Sequence, residues 1–329
     1  MLLIESPSVD PRFNLALEQY VFDCLPRRES YLMLWQNHNT IVIGKYQNTA
    51  LEINSAYVKE HDITVVRRLS GGGAVYHDLG NLNFTFITDA NAEGQYDIRG
   101  FCQRVALALN RLSLPVTVNG RNDLELEGKK FSGNAQYIRE RRIMHHGAIL
   151  FDSDLSVLSQ ALRPPADKLQ GKGLPSVRSR VTNLRPYFPE GYSFAQFRQD
   201  LTRELLEGAE TRPYELSRED MAAVERIKTQ VYDKWEWNYG RVLDFEVCKQ
   251  RRVEGCGSVQ VMLNVAEGRI LDLAFSGDYF ALEDSAELVR RLRDCPLREQ
   301  DLQQRLAQVE VERYFMNLDR SRLVELLLS

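Results

Sequence analysis

The sequence predicts an α/β chain in two units, a large one over residues 1–243 and a small one over 244–329. Three observations carry that expectation. The chain has 329 residues, room for two domains of roughly 100–200 residues each. Short apolar runs bounded by turn dipeptides alternate with stretches whose apolar residues recur at helical spacing. Near Arg241 a second series of strand and helix patterns begins, and roughly 85 residues can hold a core of their own.

The elements follow in order. Met1-Leu2-Leu3-Ile4-Glu5 is apolar, lacks a basic flank and soon meets an acid and a proline, so it reads as a first strand and not as a signal peptide. Phe13, Leu17, Tyr20, Val21 and Cys24 share a helical face between Pro11 and Pro26. Residues 31–35 and 40–44 are apolar runs, and Asn37-His38-Asn39 between them is a hairpin signal. Residues 64–66, 74–76 and 83–87 are strands around a glycine run. Cys102, Val105, Leu109 and Leu112 make a second helix, and residues 115–118 lead into the turn dipeptide Asn119-Gly120. Residues 123–126 and 130–137 pair around Glu127-Gly128, 142–151 is another strand, and 154–162 is a helix stopped by Pro164-Pro165. From 166 to 185 the period fails in a Lys- and Arg-rich stretch; loops of about 20 residues are usually functional or disordered. Helices cover 193–207 and 218–232. In the second unit, 242–248, 257–265 and 269–275 are strands, and 282–293, 299–308 and 319–328 are helices.

Composition narrows the class. Hydrophobic residues make up 43% and charged residues 27%, as in an ordinary globular protein. No apolar run approaches the roughly 18 residues of a membrane span. The net charge of −4 gives no nucleic-acid footprint. Five scattered cysteines without CxxC spacing argue against a disulfide frame or a zinc site and fit a reducing cytoplasm. Cys24 and Cys102 fall on apolar helical faces and are expected in the core.

The most informative stretch is Arg67-Arg68-Leu69-Ser70-Gly71-Gly72-Gly73-Ala74-Val75-Tyr76-His77. Glycine lets a ligand approach the main chain closely, and the flanking cations point to an anion. It is neither a Walker loop, which ends in Gly-Lys-Ser/Thr, nor a GxGxxG helix opening. Alternation in 130–137 predicts Lys130, Ser132 and Asn134 on one strand face and Lys129 on the other. His145 and His146 are adjacent on a strand, point to opposite faces, and cannot easily share a metal.

The run 67–77, continued by Asp78 to Phe84, closely resembles the lipoate-binding loop of lipoate–protein ligases. Further blocks agree in order: Asn14-Leu15-Ala16-Leu17-Glu18, Gly120-Arg121-Asn122-Asp123-Leu124, Lys130-Phe131-Ser132-Gly133-Asn134-Ala135 and His145-His146-Gly147. Lys168 through Asn183-Leu184 and Trp235 to Gly240 complete the series. The resemblance implies a mixed, mainly antiparallel sheet in a catalytic domain of the biotin/lipoate ligase type, with a small C-terminal α/β accessory domain. It implies that ATP and Mg²⁺ convert lipoate to lipoyl-AMP. The acyl group then passes to a lysine of apo lipoyl-domain proteins, the E2 subunits of 2-oxoacid dehydrogenases and the glycine cleavage H protein. The enzyme is expected to be a cytoplasmic monomer that engages neither nucleic acid nor membrane.

The roles carried over are these. Lys130 bridges the α-phosphate and the acyl oxygen as an electrophile. Arg68, Ser70, Gly72, Gly73, Ala74, Val75, Tyr76 and Ser132 hold ATP or lipoyl-AMP, with Arg67 left for structural pairing. Arg178, Thr182 and Asn183 belong to an adenylate-binding loop. Trp35, Arg68, His77, His146 and Gly147 form the lipoate pocket. Asp123 is a magnesium candidate, or else a partner of Arg121 or Lys130. An ATP-independent octanoyltransferase of the same superfamily is the enzyme rival, and a silent lipoyl-binding protein the other. Thioester-forming transferases need a cysteine nucleophile, and the motif region from Lys130 to Phe151 has none.

Overall fold

Asp10 accepts a hydrogen bond from Arg12 N and caps helix α1 (Pro11–Cys24), with Pro11 in the first turn, where a missing N–H costs nothing. The computed structural model describes residues 1–89, 97–120, 122–162, 180–240, 245 and 247–328. Strand β1 (Leu2–Glu5) precedes α1. After α1 come β2 (Tyr31–Trp35), β3 (Thr40–Ile43), α2 (Thr49–Glu52), α3 (Ser55–Glu60), β4 (Thr64–Arg67), β5 (Val75–His77), β6 (Asn81–Asp89) and α4 (Ile98–Arg111). Next are β7 (Val116–Asn119), β8 (Asp123–Leu126), β9 (Lys129–Arg139), β10 (Arg142–Leu150), α5 (Leu155–Ala161), α6 (Phe194–Leu206), β11 (Arg212–Pro213), α7 (Arg218–Ile227) and α8 (Trp235–Asn238). The C-terminal part holds β12 (Val247–Val253), β13 (Gly257–Ala266), β14 (Arg269–Gly277), α9 (Ala286–Leu292), α10 (Glu299–Arg305) and α11 (Arg320–Leu328).

The largest sheet runs β11-β1-β2-β6-β10-β9-β8-β7; β1 pairs in parallel with β2 and β11, and the other pairs are antiparallel. A second sheet, β4-β3-β5, is mixed, and a third, β12-β13-β14, is antiparallel. The fold is therefore mixed and mainly antiparallel, as expected. One face of the large sheet packs on α4 and α6 through Cys102, Leu109, Phe197 and Leu201; the other packs on α1 and α7 through Phe13, Leu17, Val21 and Val224. The C-terminal elements build a separate cluster that takes in Tyr46 from the N-terminal part. Among the described residues, no helix is long and apolar enough to cross a membrane.

Several expectations need correction. Residues 37–39 do not close a hairpin: β2 and β3 lie in different sheets. Every residue of both strands is buried, so their apolar runs do not encode a partner. Asn37 instead sits in the core, accepting from Asn14 Nδ2 at 2.9 Å and lying 3.2 Å from His77 Nδ1. Of the strand expected at 242–248, residues 242–244 and 246 lie outside the described residues, as do 241 and the 243/244 division; β12 covers Val247–Val253, running past the expected end. Cys24 is exposed at the end of α1, whereas Cys102 is buried. Of the basic loop 166–185, residues 166–179 also lie outside the described residues.

His145 is fully buried, stacked 4.7 Å from the Phe101 ring, and burial holds it well below the ordinary histidine value. Below about pH 6.5 an unfolded chain takes up a proton here that the folded chain refuses. The unfolded state then binds more protons, so stability falls as pH drops below that point, by up to about 1.4 kcal/mol per pH unit for this group. Denaturant midpoints measured between about pH 6.5 and 5 should fall less steeply in His145→Gln than in the parent; parallel slopes would contradict this account.

Candidate active site

Register across the large sheet aligns Trp35, Asn83, Ala148, Gly133 and Asp123 in one row on the α1 side. The adjacent row holds Met33, Thr85, His146 and Ala135. Trp35 stands tall at one end, while Gly133, Ala135 and Ala148 leave the middle low. The depression is a cleft of about 1050 Å³, also bordered by Arg68, Lys130 and His77.

The glycine loop forms its rim, and buried guanidinium groups hold it. Arg68 Nη2 donates to the carbonyls of Gly71 (2.7 Å) and Gly73 (2.8 Å), Nη1 to Val42 O (3.2 Å), and Nε to Ser70 Oγ (3.0 Å). Burial lowers Arg68 to about 10, against the opposing pull of Glu18, so it stays cationic at neutral pH. With their neighbours' carbonyls tied inward, the N–H groups of Gly72 and Gly73 have no acceptor among the described residues. Both glycines border the cleft, as do Ala74 and Val75. Gly72 has φ +91°, a conformation that side chains rarely adopt. Arg67 turns away and donates to the carbonyls of Gly44, Lys45, Gln47, Trp237 and Asn238 and to Thr49 Oγ1, the structural role expected of it. Tyr76 points into the cluster under the loop, its hydroxyl 3.1 Å from Asn39 Oδ1, so only its main chain is near the rim. Ser70 lies beneath the loop, 2.6 Å from His146 Nε2.

Lys130 faces the cleft, 2.7 Å from Asp123 Oδ1. The expectation that Ser132 shares its face fails. A bulge pairs Leu124 with Ser132 but Glu125 with Lys130, so Phe131 is the extra residue and alternation slips by one. Lys130 therefore joins Gly133, whose absent side chain would meet Lys130 Nζ at 3.2 Å, and Ser132 is buried outside the cleft lining. Lys129 is exposed.

His77 borders the cleft with Nε2 buried and without a partner among the described residues; burial and the neighbouring Arg68 and His146 lower it to about 3, so it is neutral. His146 lines the cleft and His145 the opposite core, on the two faces of β10. Gly147 touches the cleft by backbone only, since a side chain there would strike Asn134 and Phe84. Thr182 N donates to Lys130 O at 2.9 Å, and Asn183 uses both ends of its amide on the Ser153 backbone. Neither lines the cleft. Arg178 and Arg121 lie outside the described residues. Among the described residues no group of three His, Cys, Asp or Glu is placed to hold a metal.

The C-terminal part closes one side. Tyr279 stacks on Tyr46 at 4.6 Å, Gly277 N donates to Tyr46 O at 3.0 Å, and Phe280 enters the main core. Arg252, Glu254 and Asn317 border the cleft from there.

Residues 10–206 match the family model for the lipoyl protein ligase A/B catalytic domain, and 243–327 that for the bacterial lipoate protein ligase C-terminus. The chain belongs to the lipoate–protein ligase family. Lipoate-protein ligase LplJ of Bacillus subtilis is 37% identical over 331 residues, 99% of this chain and 100% of the relative. Lipoate–protein ligase 1 of Staphylococcus aureus is 35% identical over 97% of both chains. Among solved structures, P. falciparum LipL1 in complex with lipoate aligns with a TM-score of 0.79 over 99% of both chains, at 23% identity. A bipartite lipoate protein ligase of Thermoplasma acidophilum, studied with its E2 lipoyl domain, aligns at 0.65 with 28% identity, covering 75% of this chain and 98% of that one. Lipoate-protein ligase A bound with ATP aligns at 0.63 with 26% identity, covering 73% and 98%.

Sequence reasoning missed two parts of this ligase site. Gly44 follows β3 directly under the loop, and a side chain there would lie 1.9 Å from Gly72 O. The signal was a glycine closing an apolar strand. Phe280 came from the accessory part, where no motif marked it. Gly44→Ala should displace the loop and cost about 1–3 kcal/mol through overpacking, with ligation falling further than the melting temperature implies. Lys130→Ala should cut ligation by on the order of a hundredfold, about 3 kcal/mol of charge stabilisation, with the melting temperature preserved; Lys129→Ala should change little. Equal rates for the two lysine variants would remove Lys130 from the chemistry.

Proposed function

We propose that this chain joins lipoate and ATP in the cleft as lipoyl-AMP, releases pyrophosphate, and passes the lipoyl group to a specific lysine of an apo lipoyl domain. The observation that carries this reading is the convergence on one cleft of Lys130, Arg68 and the N–H groups of Gly72 and Gly73, which have no acceptor among the described residues. Adenylation builds negative charge on a pentavalent phosphorus, and transfer builds it on a tetrahedral carbonyl oxygen. Fixed cations and N–H donors stabilise both. Lys130 acts as a cation beside the reacting oxygen. The rim formed by Arg68, Gly72, Gly73, Ala74 and Val75 cradles the phosphate and adenine. Trp35, His77 and His146 bound the acyl chain, which suits an apolar tail because both flanking imidazole positions are buried.

Solved relatives support the substrates: one from Thermoplasma acidophilum holds lipoic acid, and lipoate-protein ligase A holds ATP. Asp123 fits Mg²⁺, which takes one or two carboxylates plus phosphate oxygens and would neutralise phosphate charge there. E2 subunits and the glycine cleavage H protein are the acceptors we assign, in line with the E2 lipoyl domain of the archaeal system. We place the reaction in the cytoplasm, carried out by a monomer; the free cysteines suit a reducing compartment. The octanoyltransferase reading is disfavoured because no cysteine lines the cleft among the described residues, and burial raises Cys102 to about 12.

Incubation with ATP, Mg²⁺, lipoate and an apo lipoyl domain should add one lipoyl mass to the acceptor, with lipoate-dependent pyrophosphate exchange. Modification from an octanoylated carrier protein without ATP, and no exchange, would favour the transferase.

A further inference from the structure

Glu18 is an acid on the buried face of α1, only 1% exposed. Its Oε1 lies 2.8 Å from His146 Nδ1 and accepts from Thr85 Oγ1 at 2.7 Å. Thr85 Oγ1 in turn accepts from Trp35 Nε1 at 3.0 Å. On the other side, His146 Nε2 is 2.6 Å from Ser70 Oγ, which accepts from Arg68 Nε at 3.0 Å. One carboxyl oxygen thus joins two hydrogen-bonded arms. One arm ends on the Trp35 wall of the cleft, the other on the guanidinium that shapes the glycine rim.

The direction of each bond follows from donor supply. Indole Nε1 only donates, so Thr85 spends its own proton on Glu18. The same Oε1 that accepts from Thr85 lies 2.8 Å from His146 Nδ1, so Nδ1 carries the proton of that bond. In a neutral ring Nε2 is then the acceptor and takes the Ser70 hydroxyl proton. That leaves Ser70 oxygen lone pairs for Arg68 Nε. Reverse the tautomer and Nε2–H would point at Ser70 Oγ, where Arg68 Nε–H also points; the hydroxyl would turn toward Gly71 O, 3.4 Å away.

We propose that Glu18 is a positioning residue for the ligation reaction: it locks His146 in the Nδ1–H tautomer and thereby fixes Ser70, Arg68 and the glycine rim in register with the Trp35 wall. This rests on the ligase reading for its consequence in rate, and not for its geometry. Glu18 reaches the reacting atoms only through His146 and Ser70.

The test combines a spectroscopic and a kinetic readout on the full-length protein. Long-range ¹H–¹⁵N correlation of the wild type, with His146 assigned by His146→Gln, should give a protonated Nδ1 and an unprotonated Nε2. The opposite tautomer would overturn the proposal without any further variant. Glu18→Gln retains the acceptor oxygen and should keep both the tautomer and the lipoate-dependent pyrophosphate exchange within about twofold. Glu18→Leu has no acceptor; it should shift the tautomer and lower exchange per folded molecule by on the order of tenfold to a hundredfold, the scale of a small misplacement in an active site. If Glu18→Leu does not fold, Glu18→Asp, one methylene short, replaces it with the same two readouts. Unchanged exchange in the folded variant would overturn the positioning role. Absence of exchange in the wild type, with the expected tautomer present, would instead fault the ligase reading and leave the geometry standing.

Discussion

The site depends on two adjacent guanidinium groups buried on opposite sides of one strand end. A buried cation is tolerated only when its donors are satisfied. Arg67 satisfies them on the carbonyls of Gly44, Lys45 and Gln47 on one side and of Trp237 and Asn238 on the other. It therefore ties the segment after β3 to α8, 170 positions beyond Arg67 in sequence. Arg68 satisfies its donors on the glycine loop itself. The loop takes its shape because a charge beneath it needs carbonyls, and the amides left without an acceptor among the described residues, those of Gly72 and Gly73, border the cleft.

That shape is also a fit between surfaces. Gly44 admits the Gly72 carbonyl from below, and a side chain at Gly71 would meet Tyr279 O at 2.2 Å from the accessory side. The C-terminal part is thus packed against the loop through the Tyr46–Tyr279 stack and Phe280. A displacement of either partner would be felt by the other, since packed interiors transmit small shifts. Glu18 adds a third tie from the opposite side, through His146 and Ser70.

Much of the fold was legible in local patterns. The α1 face between Pro11 and Pro26 and the β7–β8 and β8–β9 hairpins at Asn119-Gly120 and Glu127-Gly128 each depend on residues close to one another in sequence. The chain from β2 to β3 was not legible, because two fully buried strands expose no polar face by which a partner could be read. Ser132 was misplaced for a related reason. Period-two reasoning has no term for a bulge, and only the β8 partner reveals that Phe131 is the extra residue.

By itself the sequence determined the chemistry this protein can offer: the Arg67–Gly73 run, Lys130, the paired histidines, and the absence of a cysteine near them. Those are matters of residue type and order. Tertiary structure decided which of these groups share a cleft. It brought Trp35, Asn83, Ala148, Gly133 and Asp123 into one row across five strands, moved Ser132 off that row, and set Tyr76 and Ser70 beneath the rim. The reason is that strand register and the satisfaction of buried charge depend on contacts far apart in sequence, and no local pattern carries that information.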